Sequence, residues 1–567
     1  MESLQEQIEQ LYLSGVVSRE ALPHKLPIEY VSNHTLTEVV KNDLESTALY
    51  TNLLGPSPLL DQWCSFYTTD LSFLKQTQKC IRKYKVKEYA CESFRDKYYP
   101  FIQESNFIDK YQYMGFKFLR QLNESSTFLH SLSLYNLASP ILSLLSPLMM
   151  LILPFMILKI QNVPITISGY IEHLRSMFVR TSLYQLLFNI QSLSLQSRVS
   201  ALFSLFIYGL QVYQNTLSCV SFYRNITRIY QFLIDYQSHL KQSIQMADEM
   251  IRSMEYSSYA LFGKELLKQK DRMNRLLYQL SQITPCETIY PKVGQIGLLM
   301  SLYYDLFMIE ENHHTIEYSF FLHDLNRDMR SIRKAVRSKR IQKCTFGEKS
   351  QMDGMYYLPH QETKIRNSVD LAHNLVISGP NASGKTTILK ATCLNAILSQ
   401  QFGYGCYTHA TIQCYDHFHS YLNIPDTSGR DSLFQAEARR CKDILDNITQ
   451  TPTERHFCIF DEIYSGTNPN DAVSCAKLYL RGLNGHKDRV DYLITTHYIE
   501  LCESFKKDKN VYVKKMNVRE KEGELEYDYT LVDGISYIHG GLYILKQLNY
   551  PSSLYESVWI DLEKSMK

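Results

Sequence analysis

Apolar residues recur at intervals of three and four from the start of the chain to about Lys343, with few glycines and few turn clusters between them. That period predicts a mostly helical region. It is plainest over residues 226–280, where Ile229, Phe232, Leu233, Tyr236 and Leu240 fall on one face of a helix. From about Cys344 the texture changes to short apolar runs alternating with helix-like stretches, which predicts an α/β domain. No internal repeat or low-complexity linker separates the two.

Two runs depart from amphipathic spacing. Residues 132–158 carry no charge and, at about 1.5 Å per residue, are long enough to cross a bilayer. Pro140, Pro147 and Pro154 fall inside this run, where they would kink a helix. Residues 199–223 are also uncharged but are diluted by Gln211, Gln214 and Asn215. Two expectations stay open: a pair of buried core helices, or a hairpin dipping into a membrane. A basic stretch, residues 327–343, closes the helical region. Helical spacing places Arg330, Arg333, Arg337 and Arg340 near one stripe, either a solvated face or a contact for phosphates.

With 567 residues and 45% hydrophobic content the chain can bury several cores. Its net charge of +2 puts any nucleic-acid affinity on a local patch rather than on the protein as a whole. The 13 cysteines are scattered, without a C-x-x-C pair or a Cys/His cluster at ligand spacing, which argues against zinc and a disulfide framework. The acidic N-terminus, MESLQEQIEQLYLSG, lacks the pattern of a signal peptide. The expected location is intracellular, in nucleus or cytoplasm, with membrane association possible, and the N-x-T match at Asn225 is then a chance one.

The stretch NLVISGPNASGKTTILKA, residues 374–391, reads as strand, loop and helix. Gly379, Pro380, Asn381, Ala382, Ser383, Gly384, Lys385 and Thr386 satisfy G-x-x-x-x-G-K-[ST] in that context, with Thr387 completing the candidate phosphate-binding set. Small residues let backbone N–H groups wrap phosphates at a helix N-terminus, Lys385 reaches the outer phosphates, and Thr386 offers a hydroxyl to Mg²⁺. The expected cofactors are ATP and Mg²⁺. Further on, an apolar strand over residues 457–460 ends in Asp461, a candidate magnesium ligand, and Glu462, a candidate base for the attacking water. A third strand, beginning at Asp491, ends at His497, placed to sense the γ-phosphate. Lys385, Glu462 and His497 are the candidate catalytic residues. This order is that of an ABC-type ATPase core. The lack of L-S-G-G-Q counts against a transporter subunit, and the lack of long heptad arms flanking the core counts against a chromosome-cohesion or break-repair ATPase.

From about Met352 to Lys567 these motifs resemble the MutS family of DNA mismatch-repair ATPases. GPNASGKTT is similar to the family's Walker A loop, with Asn381 retained; FDEIYSGTNPNDA is similar to its Walker B strand and following loop, and ITTHYIEL to its A-T-H-Y-x-E-L. Between them, DHFHSYLNIPDTSGRDSLFQAEARR resembles D-x-x-x-T-R-x-G-x-x-D…S-T-F-x-x-E, which aligns Asp416, Asp426, Ser432, Phe434 and Glu437. The resemblance implies a dimeric ATPase in which Ser432 reaches the γ-phosphate of the other subunit in trans. It also implies that residues 534–551 lead into a helix-turn-helix that clasps the dimer, with 543–550 as the packing helix.

The departures are as informative. Tyr421 stands where the family usually has Arg, Thr386 replaces Ser, and MYYLPH, residues 355–360, only loosely matches the segment near the adenine, leaving Tyr356 or Tyr357 for base stacking. No F-x-E, the family's mismatch wedge, occurs in the first 340 residues; the one at Phe346–Glu348 adjoins the ATPase region. The expected fold is α + α/β: a lever- and clamp-like helical region over 1–343, an ABC-type P-loop ATPase domain over 344–533 and a C-terminal helix-turn-helix over 534–567. The expected function is a MutS-like ATP-dependent DNA-binding protein of mismatch repair or recombination. ATP hydrolysis would drive a clamp, homodimeric or heterodimeric, on duplex, mismatched or branched DNA. The other reading is a membrane-associated MutS-like ATPase with a non-repair role.

Overall fold

A computed structural model describes residues 24–89, 92–160, 167–179, 195–285, 289–363, 365–422, 432–521, 524–538, 540–548 and 550–551. Helices α1 (Glu38–Asp43), α2 (Ser46–Leu54), α3 (Leu60–Ser65) and α4 (Leu71–Lys83) come first. Longer helices follow: α5 (Glu92–Ile102), α6 (Ser126–Ile160), α7 (Leu195–Ser253), α8 (Ala260–Leu280), α9 (Ile289–Met308) and α10 (Glu310–Arg337). The rest alternates: β1 (Asn374–Ser378), α11 (Lys385–Phe402), β2 (His417–Tyr421), α12 (Leu433–Gln450), β3 (His456–Asp461), α13 (Pro469–Asn484), β4 (Val490–Thr496), α14 (Ile499–Phe505), β5 (Val511–Lys521), β6 (Glu524–Asp533) and α15 (Gly540–Gln547). The predicted helical region and α/β region are both present.

The chain forms two compact units. The first draws on residues 89–245 and 269–320, the second on 24–88, 246–268 and the described part of 321–567. Residues 24–88, expected in the helical region, thus fold with the α/β part. The reason is the helix behind the P-loop: every residue of α11 from Ile388 to Phe402 is buried, so it needs cover on all sides. Its last turn carries the amides that recruit that cover. Gln401 donates to the carbonyls of Trp63 (2.7 Å) and Phe66 (2.6 Å), and Gln400 donates to those of Thr68 (3.3 Å) and Tyr415 (2.8 Å). Each bond satisfies a polar group that burial would otherwise leave unpaired.

In the first unit an aromatic core joins α5, α7 and α9. Phe101 meets Phe232 at 4.7 Å and Tyr303 at 4.9 Å between ring centroids, and Phe107 stacks on Phe307. Ile229, Phe232, Leu233, Tyr236 and Leu240 are all buried, as their spacing predicts.

The two uncharged runs depart from the first of these expectations. Helix α6 runs through its prolines. Ser139, just before Pro140, donates to the carbonyl of Asn136 (2.9 Å), and Ser146, just before Pro147, to that of Ser143 (2.9 Å). These are the acceptors that each proline deprives of an N–H partner. Tyr208 adds bonds to the carbonyls of Ser143 (3.2 Å) and Leu144 (3.1 Å), and Cys219 one to Leu137 (3.4 Å), so α7 lies antiparallel to α6. Neither run is a buried core helix. Among the described residues Ser126–Ser146 is the one stretch long and apolar enough to cross a membrane, and only about 17% of it is buried. The second run, with its three amides, does not meet that criterion.

The basic stretch also changes. Lys339 takes a left-handed φ of 60°, α10 stops at Arg337, and Arg340 leaves the stripe to bond the carbonyl of Asn52 (3.0 Å). Arg330 pairs with Glu88 at 2.7 Å. Two of the four arginines are therefore engaged by the chain's own 24–88 segment rather than lined up for phosphates.

The main sheet has the order β2-β3-β4-β1-β5-β6, parallel except for the antiparallel β5–β6 hairpin. Central β1 and β4 are buried at every position. The P-loop leaves the C-terminal end of β1, where open parallel sheets place ligands. A four-stranded sheet of Thr345–Phe346, Gln351–Met355, Asn367–Asp370 and His409–Ile412 adjoins it in the same unit.

Register across β2 and β3 pairs His417 with His456 and brings His419 close by. Thr451 Oγ1 donates to the carbonyl of Asn447 (2.7 Å) and so accepts from His456 Nε2 (3.1 Å). His456 Nδ1 is then left to accept from His419 Nε2 (3.1 Å), an arrangement that holds only while His456 is neutral. Burial, reinforced by neighbouring His417, Arg440 and Arg489, pulls His456 down to about 4 and His419 down to about 3. The folded state therefore excludes protons that the unfolded chain accepts. The pair's contribution is complete above about pH 6.5 and is lost as pH falls toward 4, by on the order of 1 kcal/mol per pH unit for each ring. Asp305 and Asp328, raised by burial to about 6, act with the opposite sign. A His456→Gln variant isolates the histidine contribution: its urea midpoint should fall less between pH 7 and pH 5 than that of the parent. Equal falls would exclude this account.

Candidate nucleotide site

The turn from β1 into α11 builds the loop predicted from sequence. Ala382 (φ 62°) and Gly384 (φ 91°) take left-handed backbone conformations, which lets the loop curl over the start of the helix. Gly379 has no room for a side chain, since a Cβ there would lie 2.8 Å from Ser383 Oγ. Lys385 is 5% exposed, and its ammonium bonds the carbonyls of Gly379 (2.9 Å) and Pro380 (3.2 Å) and lies 3.1 Å from Glu462.

Asp461 ends β3 directly opposite this loop. Thr386 Oγ1 donates to one of its oxygens (2.6 Å) and Thr495 Oγ1 to the other. Glu462 follows with φ 50° and donates its N–H to the carbonyl of Thr495 (3.1 Å). His497 Nδ1 sits 3.4 Å from its carboxylate. That His497 contact and the Lys385 ammonium hold the Glu462 carboxyl down at about 2 against the opposing effect of burial.

A cavity of about 780 Å³ opens here, lined by the loop and helix residues Asn381 to Ile388, by Asp461 and Glu462 at the end of β3, and by Tyr356, Tyr357, His360 and Tyr529. Its volume suits a nucleotide. The chemistry of its walls fits ATP with magnesium: an ammonium and a helix N-terminus for phosphates, a hydroxyl–carboxylate oxygen pair for a hard cation, and Ser383 Oγ buried without a protein partner. Tyr529 was not legible as a site residue. It reaches the cavity from the β5–β6 hairpin and lies so close to the loop that a Cβ on Gly384 would be 3.2 Å from its ring.

The expected phosphate-site residues 379–387, Asp461, Glu462 and His497 thus come together. Ser432 does a local job, capping α12: its Oγ accepts from Gln435 N–H (3.3 Å) while Gln435 Oε1 accepts from Ser432 N–H (2.9 Å). It does not line the cavity of its own chain. Glu437, one turn further, is buried and accepts from Ser465 N–H (3.0 Å), Ser465 Oγ (2.8 Å) and Gly466 N–H (3.1 Å). It therefore anchors the loop that follows Glu462. Tyr421, the departure from Arg, accepts from Tyr464 N–H (3.3 Å) in the same loop. Asp416 caps Arg455 N–H (2.8 Å), and Phe434 packs on Tyr464. Asp426 and the residues after 551, which include the rest of the expected helix-turn-helix, lie outside the described residues; the helix that is described, α15, spans Gly540–Gln547 rather than 543–550.

Comparison with known proteins gives the same picture for this part of the chain. Residues 375–562 match the family model described as MutS domain V. The DNA mismatch repair protein MutS of Wolbachia pipientis wMel is 32% identical over 193 residues, 34% of this chain and 22% of that protein. That of Cytophaga hutchinsonii is 29% identical over 203 residues (35% and 23%), and that of Thermus thermophilus 28% over 216 (37% and 26%). The chain's matched stretch spans about a quarter of the length of these relatives.

Proposed function

We propose, from the premise that residues 375–562 are a MutS family ATPase domain, that this chain is an ATPase whose nucleotide state governs its hold on DNA in mismatch repair or recombination. The observation that carries the reading is the convergence of Lys385, Thr386, Asp461 and Glu462 on one cavity at the P-loop, with His497 against the Glu462 carboxylate.

In this reading the backbone of residues 379–384 and Lys385 hold the phosphates, and Thr386 with Asp461 would hold the magnesium ion. Bound Mg²⁺ supplies charge neutralisation at the β- and γ-oxygens. Glu462 orients the attacking water and accepts its proton, and His497 holds that carboxylate in place. Tyr529, together with Tyr356 or Tyr357, provides faces for the base. Ser432, at the N-terminus of α12, acts on the site of a second subunit, and the helical unit supplies the arms that engage duplex, mismatched or branched DNA. With no F-x-E in residues 1–340, mismatch reading by a phenylalanine wedge is not part of the proposal.

The test compares homoduplex, mismatched and four-way-junction DNA by fluorescence anisotropy, with and without ATP and Mg²⁺. Binding should weaken steeply with salt, because phosphate contacts release counterions. Loss of affinity for every substrate at about 50 mM salt, in protein that still hydrolyses ATP, would leave an ATPase and overturn the DNA assignment.

A further inference from the structure

One exposed face of the second unit carries charge of a single sign. Six of the 13 residues from Lys75 to Lys87 are basic, and no Asp or Glu occurs between Asp70 and Glu88. Lys75, Lys79, Arg82 and Lys83 are exposed on α4, within about 100° of arc at 3.6 residues per turn. Beyond the helix burial alternates: Tyr84 and Val86 are buried, Lys85 and Lys87 exposed. The cations thus follow a path of roughly 25 Å along the chain. None of the six has an ion-pair partner among the described residues. Glu88, the first acid after them, is held by Arg330 (2.7 Å), and Glu249 accepts the backbone N–H of Lys87 (2.9 Å). Negative charge therefore adjoins only the last residue of the row.

The fold does not need these charges. On its other side α4 is fixed by Phe73 stacked on Tyr259 (5.1 Å between ring centroids) and by Gln78, which donates to the carbonyls of Cys344 (3.0 Å) and Gly403 (2.8 Å). Tyr84 donates to Asn326 (2.9 Å) just beyond. The helix dipole accounts for Arg82 and Lys83 in the last turn, but Lys75 and Lys79 lie one turn apart, where like charges destabilise a helix. A face that met only water would be served by the mixed charges of the whole chain, 60 Lys and Arg against 58 Asp and Glu.

We infer, resting on the DNA-binding reading above, that this row holds the phosphate backbone of duplex DNA without regard to sequence. It belongs to the unit that carries the P-loop, so DNA would meet that unit as well as the helical arms. Three features choose the occupant. A line of unpaired cations is complementary to a linear polyanion, whose counterions it displaces. From Lys75 to Lys87 every apolar side chain, Cys80, Ile81, Tyr84 and Val86, is buried, which leaves no ring for stacking unpaired bases. The same burial leaves nothing to sink into a membrane or to form the apolar centre of a protein interface.

Anisotropy of a labelled homoduplex with the full chain, over a range of salt concentrations, tests it. The triple variant Lys79→Ala/Lys83→Ala/Lys85→Ala should raise the dissociation constant about tenfold or more and flatten the slope of log K against log[salt] by roughly 2 to 3, since each lost phosphate contact removes about 0.9. Lys487→Ala/Lys507→Ala/Lys509→Ala removes the same charge from exposed positions elsewhere on the unit and should bind as the parent does. All six side chains lie outside the nucleotide cavity, so ATP hydrolysis without DNA should be unchanged in both variants, which verifies their folds. A parent that binds the duplex and a 79/83/85 variant with the parental slope would overturn this inference and leave the DNA reading standing. Equal losses in the two variants would overturn it by making overall charge the cause. A parent that binds no DNA would overturn both. Displacement of the parent from the duplex by phosphatidylserine vesicles, absent in the 79/83/85 variant, would overturn it in favour of an acidic membrane surface.

Discussion

A Glu462→Gln variant is expected to bind ATP within a few-fold of the parent and to hydrolyse it at least about 10²-fold more slowly, the usual effect of removing a positioned general base. Glutamine keeps the size of the side chain and its contact with His497 but cannot accept a proton. The carboxylate itself is unusual. Held at about 2 by the His497 contact and the Lys385 ammonium, it is ionised throughout the working range but is a weak base. Its strength therefore depends on where Lys385 goes. When that ammonium is drawn toward phosphates, Glu462 loses one of the contacts that depress it and becomes a better acceptor as the site fills. Phosphate release measured beside the affinity for a fluorescent ATP analogue separates the two quantities. Hydrolysis at the parental rate would remove Glu462 from the base role.

The site residues were legible because phosphate chemistry fixes them locally. A P-loop needs small residues, a lysine and a hydroxyl within eight positions, and Asp461 and Glu462 are marked by the apolar strand they end. What could not be read depends on distant parts of the chain meeting. Gln400 and Gln401 look like ordinary helix-surface amides in sequence, yet they bind the backbone of residues 63–68 and bring the 24–88 segment onto the ATPase-side unit. Tyr529 enters the cavity from a hairpin some distance along the chain from the loop it touches. Glu437 could be aligned through the resemblance, but its three bonds to the 465–466 backbone could not be inferred. Burial of the two uncharged runs was undetermined for a different reason. Composition gives apolarity and not partners, and the serines that repair α6 at its prolines read as weakening residues until their bonds are seen.

The second large effect is expected at Lys385. Lys385→Ala should weaken ATP binding at least about 10²-fold, roughly 2.7 kcal/mol, and abolish hydrolysis at concentrations that saturate the parent. The ammonium is nearly inaccessible and carries three contacts, to the carbonyls of Gly379 and Pro380 and to Glu462. Alanine removes the cation that faces the phosphates, and it leaves Glu462 beside them with one positive neighbour fewer. Both changes act against an anionic ligand, so the loss should exceed that of Thr386→Ala, which removes a hydroxyl but leaves the charge balance alone. Lys385→Met separates charge from packing, because methionine fills most of the same volume. If Lys385→Met binds ATP as weakly as Lys385→Ala, charge carries the affinity. If it binds as the parent does, the lysine is only filling space, and the phosphate-holding role assigned to it fails.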